Sequence, residues 1–224
     1  MRNVFKLFMT ACLLVSVAMT GVAQKDYSKS EGLLKYVDPY IGSGFHGHVF
    51  VGTSVPYGMV QVGPNNIHKG WDWCSGYHYS DSILIGFSQT HLNGTGCTDL
   101  GDIMIMPMNE IRTERGKQSD ISNGYASKYS HENEIARPEY YSLLVERYNI
   151  KAEMTATDRV GFHRYTYPAG KPASILVNLH EGNSYTKAKM CYVRKVDDYT
   201  IEGYRYSHDW SPNRKVYFVL KADQ

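Results

Sequence analysis

Short apolar runs, rather than helical stripes, organise this chain. From Pro138 onward they follow one another at 140–148, 150–157, 160–167, 173–179, 190–196, 199–206 and 215–221. Turn formers such as Pro168–Gly170 and Glu181–Asn183 separate them. Upstream, 57–62, 82–87 and 102–106 are compact apolar runs between Gly and Pro signals. Short strands at such spacing predict an all-β chain, an antiparallel β-sandwich with long Gly/aromatic-rich loops. The 199–206 run alternates least clearly and reads as an edge strand.

Two segments break this pattern. Residues 1–23 read as a signal peptide: Arg2 and Lys6 form a positive start, Leu7–Ala18 an apolar centre, and Gly21 and Ala23 a small-residue cleavage site. Residues 24–35 read as a linker, and 36–224 as the sandwich. No later segment is apolar enough for a transmembrane span. The mature chain is therefore expected to be exported, to a periplasmic, outer-membrane-associated or secreted location. The second segment, 42–101, holds twelve of the 20 glycines, five of the nine histidines and two of the three tryptophans. Such a stretch reads either as loops shaped for a ligand or as tight turns of a β-protein.

Three parts of that stretch carry candidate chemistry. His46 and His48 would share one face of an extended strand, where they can ligate a metal or serve as structural hydrogen-bonding groups. In the segment Trp71–Asp81, Trp71 and Trp73 are candidate sugar platforms, and Asp72, His78 and Asp81 candidate partners for hydroxyls. Core packing of one tryptophan is the competing reading. In the segment Gln89–Asp102, a tight polar turn can bring His91, Asn93, Asp99 and Asp102 to one site beside Cys97. Asn93–Thr95 also fits the N-glycosylation acceptor pattern. No nucleophile elbow, phosphate loop or dinucleotide fingerprint occurs.

Charge and cysteine content narrow the partners. Loss of Arg2 and Lys6 with the leader brings the 24 basic residues level with the 22 acidic ones. A neutral chain without a polybasic stripe does not suit nucleic acid or anionic lipid. Its 19 tyrosines suit an uncharged polar ligand such as a sugar, or simply make good strands. Cys74, Cys97 and Cys191 would remain after leader removal. Export permits a Cys74–Cys97 bridge, but the spacing does not require one.

Taken in order, Tyr36–Gly44, His46–His48, Val55–Gln61, Trp71–Asp81, Ile85–Cys97 and Gly101–Ile103 resemble the N-terminal domain of the family 92 glycoside hydrolases, bacterial exo-acting α-mannosidases. So do Tyr129–Glu134, Pro138–Tyr141, Lys151–Thr157 and Arg159–Pro168. The resemblance implies a β-sandwich packed on a C-terminal (α/α)6 catalytic barrel. It also implies calcium-dependent, inverting removal of terminal α-mannose from glycans. The catalytic residues and most calcium ligands would lie in that barrel, beyond this sequence, so no catalytic or metal-ligating residue is assigned here. The sandwich loops would shape substrate subsites. That role carries onto Trp71, Asp72, Trp73, His78, His46, His48, His91, Asn93 and Cys97. Most of 138–224 would build scaffold and interdomain surface. The alternative is a free-standing carbohydrate-binding β-sandwich without catalysis.

Overall fold

The computed structural model describes residues 32–183 and 185–223. The leader and the linker up to residue 31 lie outside them. The chain divides into two units, Met1–Lys35 and Tyr36–Gln224, and the second holds every strand. Its strands are all antiparallel and form three sheets.

The largest sheet contains β1 (Thr53–Ser54), β2 (Gln61–Asn66), β3 (Ile83–Ser88), β4 (Met104–Met108), β5 (Ser127–Lys128) and β10 (Ser174–Asn178), in the order β1-β2-β3-β4-β10 with β5 paired to β3. The second contains β6 (Glu134–Arg137), β7 (Tyr140–Val145), β8 (Ile150–Ala156) and β9 (Gly161–Thr166) in chain order. β8 lies against β1, β2 and β4, so the two sheets pack face to face as a sandwich.

Period-two alternation explains which side chains meet between them. Ile150, Ala152 and Met154 of β8 point inward with Tyr141, Leu143 and Val145 of β7. They face Val62, Leu84, Phe87, Met104 and Met106 of the larger sheet, and all these side chains are buried. Between β7 and β8 the chain turns through Glu146–Tyr148 and then Asn149, whose φ of 50° is left-handed. Asn tolerates that region better than most residues, so the 140–148 run ends its strand at Val145.

The third sheet, β11 (Ala188–Lys195), β12 (Thr200–Ser207) and β13 (Arg214–Lys221), is held differently. Its apolar side chains are largely uncovered, with Tyr192, Tyr217 and Val219 among the exposed ones. What anchors it is charge. Arg205 of β12 is fully buried, and its guanidinium donates to Asp102, to the Leu179 carbonyl at 3.0 Å and to the Thr186 carbonyl at 3.0 Å. Arg214 of β13 pairs with Asp99 and lies 3.2 Å from Asp102. The remaining Asp99 oxygen accepts from the Ser211 amide at 2.9 Å.

β12 is therefore the centre of its sheet, which corrects the edge reading of 199–206. Its two buried positions are Arg205 and Ser207 rather than apolar residues, which leaves the alternation faint. The 57–62 run also shifts. Tyr57 takes a positive φ of 61° in a turn, and the strand begins at Gln61.

Removing one partner of a buried ion pair leaves the other charged and unsolvated. R205M should therefore lower the unfolding free energy by about 3–5 kcal/mol in urea titration. R205K should recover little of it, because an ammonium cannot reach three fixed acceptors in one plane.

Candidate functional site

Three loops, around 42–48, 71–81 and 91–97, pack against one another. The first, 42–48, is folded by the Ser43 amide on the Tyr40 carbonyl (3.0 Å) and the Val49 amide on the Gly42 carbonyl (3.1 Å). It is a turn and not a strand. Phe45 and His48 have positive φ of 48° and 54°, so the strand-face expectation for the His46–His48 pair fails. Both imidazoles nonetheless reach the same side chain, Trp71. Ring centroids are 4.2 Å apart for His48 and 5.3 Å for His46.

The second loop begins with a single helical turn, Trp71–Trp73. Its two tryptophans have different surroundings. Trp71 is 57% exposed, and its Nε1–H donates to the Gly96 carbonyl at 2.9 Å. Trp73 is half-buried. It stacks on His78 at 4.2 Å, and its Nε1–H donates to Asp81 at 2.7 Å. Asp81 is buried and also takes Lys69 at 2.8 Å and the Ser82 and Ile83 amides. Trp73, His78 and Asp81 therefore form a buttress under the loop, while Trp71 forms its face.

The third loop, 91–97, closes on the other two. The Gly94 amide donates to the His48 carbonyl at 2.8 Å, and the Cys74 thiol to the Thr95 carbonyl at 3.2 Å. Gly96 is placed so that a Cβ there would lie 2.8 Å from the Trp71 ring, so only glycine fits. Asn93 is exposed at the tip of this turn. Cys97 is half-buried, and both it and Cys74 are free thiols. His91 is buried beneath the loop. Its Nδ1 faces the Gln61 carbonyl at 2.8 Å, and its Nε2 lies 3.1 Å from Ser88 and 3.2 Å from Asn65.

Electrostatics centre on Asp72. His46 Nδ1 lies 2.5 Å from Asp72 Oδ1, and this hydrogen bond holds the carboxyl below its ordinary range. His48 Nε2 is 3.7 Å from the same oxygen, buried and without a hydrogen-bond partner among the described residues. Asp99 and Asp102, expected beside His91, instead serve the arginines of the third sheet. The cluster thus offers an indole face, an imidazole 71% exposed and one ionised carboxylate. It can stack a ring and accept or donate hydrogen bonds. An acid–base pair for glycoside cleavage needs a second carboxyl.

Calcium does not fit these residues. It takes six to eight oxygen ligands. Asp72 supplies one carboxylate already bonded to an imidazole, and no group of three or more His, Cys, Asp or Glu among the described residues could hold a metal. His68 packs on Tyr185, with ring centroids 4.6 Å apart.

The sequence reading missed Ser43, Tyr79 and Gly96. Tyr79 links the first two loops, since its amide donates to the Ser43 carbonyl at 2.9 Å. A Gly within a polar turn hinted at Gly96, but nothing in the sequence joined it to Trp71.

Fold and cluster define an antiparallel β-sandwich that carries an aromatic and polar loop cluster. The family model of the glycosyl hydrolase family 92 N-terminal domain matches residues 36–224. A family GH92 α-mannosidase from Bacteroides thetaiotaomicron, solved in complex with mannoimidazole, is 39% identical with a TM-score of 0.81, covering 84% of this chain and 25% of its own. A family GH92 inverting mannosidase from Bacteroides thetaiotaomicron VPI-5482 shares the fold at 23% identity and a TM-score of 0.66, over 85% of this chain and 25% of its own. An uncharacterized secreted glycosidase from Arthroderma benhamiae is 30% identical over 154 residues, 66% of this chain and 20% of that protein. The chain belongs to glycosyl hydrolase family 92, of which it carries the N-terminal domain. It spans about a quarter of the length of the solved relatives.

Two measurements check this geometry. G96A must displace Trp71 or its own turn, and should cost about 1–3 kcal/mol and red-shift tryptophan emission. Burial pushes the His91 imidazole down to about 4. Between that value and the unfolded value near 6.5 the unfolded chain binds the extra proton, so stability is full above this window and falls as pH falls through it. The loss should be on the order of 3 kcal/mol, read from urea midpoints, and should shrink in H91Q.

Proposed function

We propose that this chain supplies the sandwich side of a sugar subsite in an exported α-mannosidase. The observation that carries the reading is the exposed Trp71 indole flanked by His46, His48 and Asp72. An indole face packs on the C–H face of a pyranose, and polar tips at its rim meet the hydroxyls. Asp72 and His46 orient each other, so the imidazole edge and the carboxylate stand ready as a donor–acceptor pair. Asn93, at the tip of the neighbouring turn, is a further polar contact. Trp73, His78, His91 and Cys97 act one layer below, holding the loops.

The substrate is terminal α-mannose of a glycan, a reading supported by the family and by the mannoimidazole complex of the Bacteroides relative. Inversion of configuration is supported by the reaction named for the more distant Bacteroides relative. The general acid, the base and any calcium site belong to the remaining length of the full enzyme, in the C-terminal (α/α)6 domain. Export is supported by the leader pattern and by the secreted relative. Among the described residues no helix is long and apolar enough to cross a membrane. The uncovered face of the third sheet suits burial against that further domain.

W71A in the full-length enzyme tests the subsite. KM for an α-mannobiose should rise about tenfold, equal to about 1.4 kcal/mol of lost binding, while W210A at another exposed tryptophan should leave KM unchanged. An unchanged KM in W71A contradicts the reading.

A further inference from the structure

We propose that His131, as a doubly protonated imidazolium seated between Glu134 and the Tyr79 carbonyl, is the positioning residue that holds the Trp71–Asp81 loop against the Gly42–His48 loop. Its role in substrate binding rests on the subsite reading of Trp71; its charge state does not.

The geometry leaves little choice of protonation. His131 Nδ1 lies 2.6 Å from Glu134 Oε2, and Nε2 lies 2.6 Å from the Tyr79 carbonyl oxygen. A carbonyl oxygen only accepts, so Nε2 carries a proton. Glu134 is buried and accepts from two more donors, Tyr141 at 2.7 Å and Tyr77 at 3.2 Å. With two phenols already donating to it, Glu134 meets Nδ1 as an acceptor, so the short Nδ1–Oε2 contact is an N–H donated to a carboxylate and Nδ1 carries a proton as well. Burial and the Glu134 carboxylate drive both phenols far above the ordinary tyrosine range, so they remain donors. Among the titratable groups that face the pair are Tyr77 and Tyr141 on the carboxylate and Tyr79 and Tyr129 on the imidazole.

What the imidazolium grips is the crosspiece of the site. The Tyr79 ring stacks on His131 at 4.3 Å with 7° between planes, and meets Tyr40 edge-on at 5.5 Å. Its amide donates to the Ser43 carbonyl. Tyr79 therefore joins the loop of Trp71 and Asp72 to that of His46 and His48, and His131 ties this junction to β6 through Glu134. The positive ring stacked on a phenol adds a cation–π contribution.

The test uses the full-length protein. In 15N-edited spectra, with the His131 signals assigned by their loss in H131Q, both ring nitrogens should be of the protonated type at about pH 7. A neutral, single-tautomer ring overturns the proposal whatever the enzyme does. In H131A, KM for an α-mannoside should rise about fivefold or more with kcat within about twofold, because loop placement and not chemistry is lost. H131Q, whose amide can still donate to Tyr79, should recover part of the KM. An unchanged KM in a folded, active H131A enzyme overturns the positioning role.

If the wild type cleaves no α-mannoside, the subsite reading fails instead. Loop placement is then read from hydrogen exchange at the Trp71 indole N–H. Exchange about tenfold faster in H131A supports the proposal, and unchanged exchange overturns it.

Discussion

The buried charge cluster of Asp99, Asp102, Arg205 and Arg214 is the constraint on which the rest of the second unit depends. Taking four charges out of water is costly, and the arrangement holds because opposite charges are paired and every nitrogen of the Arg205 guanidinium has an acceptor, although Arg214 Nε and Nη2 have no hydrogen-bond partner among the described residues. Arg205 spends its guanidinium on a carboxylate and two carbonyls, and Asp99 divides its oxygens between Arg214 and a backbone amide. The consequence is spatial. The carboxylates end the Gln89–Asp102 segment and the arginines belong to β12 and β13, so the third sheet is fixed onto the loop that carries Gly94 and Gly96. Apolar burial alone would not do this, because much of that sheet is uncovered.

From that anchor the site assembles by backbone contacts and small residues. Gly96 leaves space for the Trp71 ring, Gly94 bonds the His48 carbonyl, and Tyr79 joins the remaining pair of loops. Beneath them the polar groups are mostly consumed: Asp81 by Trp73 and Lys69, and Glu134 by His131 and two tyrosines. The chemistry left facing outward is therefore narrow. One indole, one oriented imidazole and one ionised carboxylate are what the proposed subsite has to work with, and a single carboxylate is not a glycosidase acid–base pair. This division agrees with the proposed subsite role, in which these residues contact a ligand and break no bond.

Much of the fold was legible because strand periodicity survives in short windows. The 150–157 and 160–167 runs sit within a residue or so of β8 and β9. The two-residue strands β1 and β5, and β6, left no apolar run to read. β12 reads as an edge in the sequence because its two buried residues are Arg205 and Ser207. The partner that makes Arg205 a core residue, Asp102, is 103 positions away. The site was legible as three loops of the right composition, and the family motifs supplied their shared purpose. Periodicity could not say that His46–His48 is a turn, since that depends on a left-handed backbone at His48. Nor could composition tell Trp71 from Trp73. Their difference lies in which indole finds a buried carboxylate.

Trp71 as the sandwich wall of a mannose subsite is the proposal on which the functional reading turns. A crystal structure of the full-length protein with a bound α-mannoside-type inhibitor tests it most directly. A sugar ring packed on the Trp71 indole at about 4 Å, with hydroxyls in reach of His46 or Asp72, is the expected result. A sugar bound in the catalytic cleft with Trp71 out of contact, buried against protein instead, would contradict it.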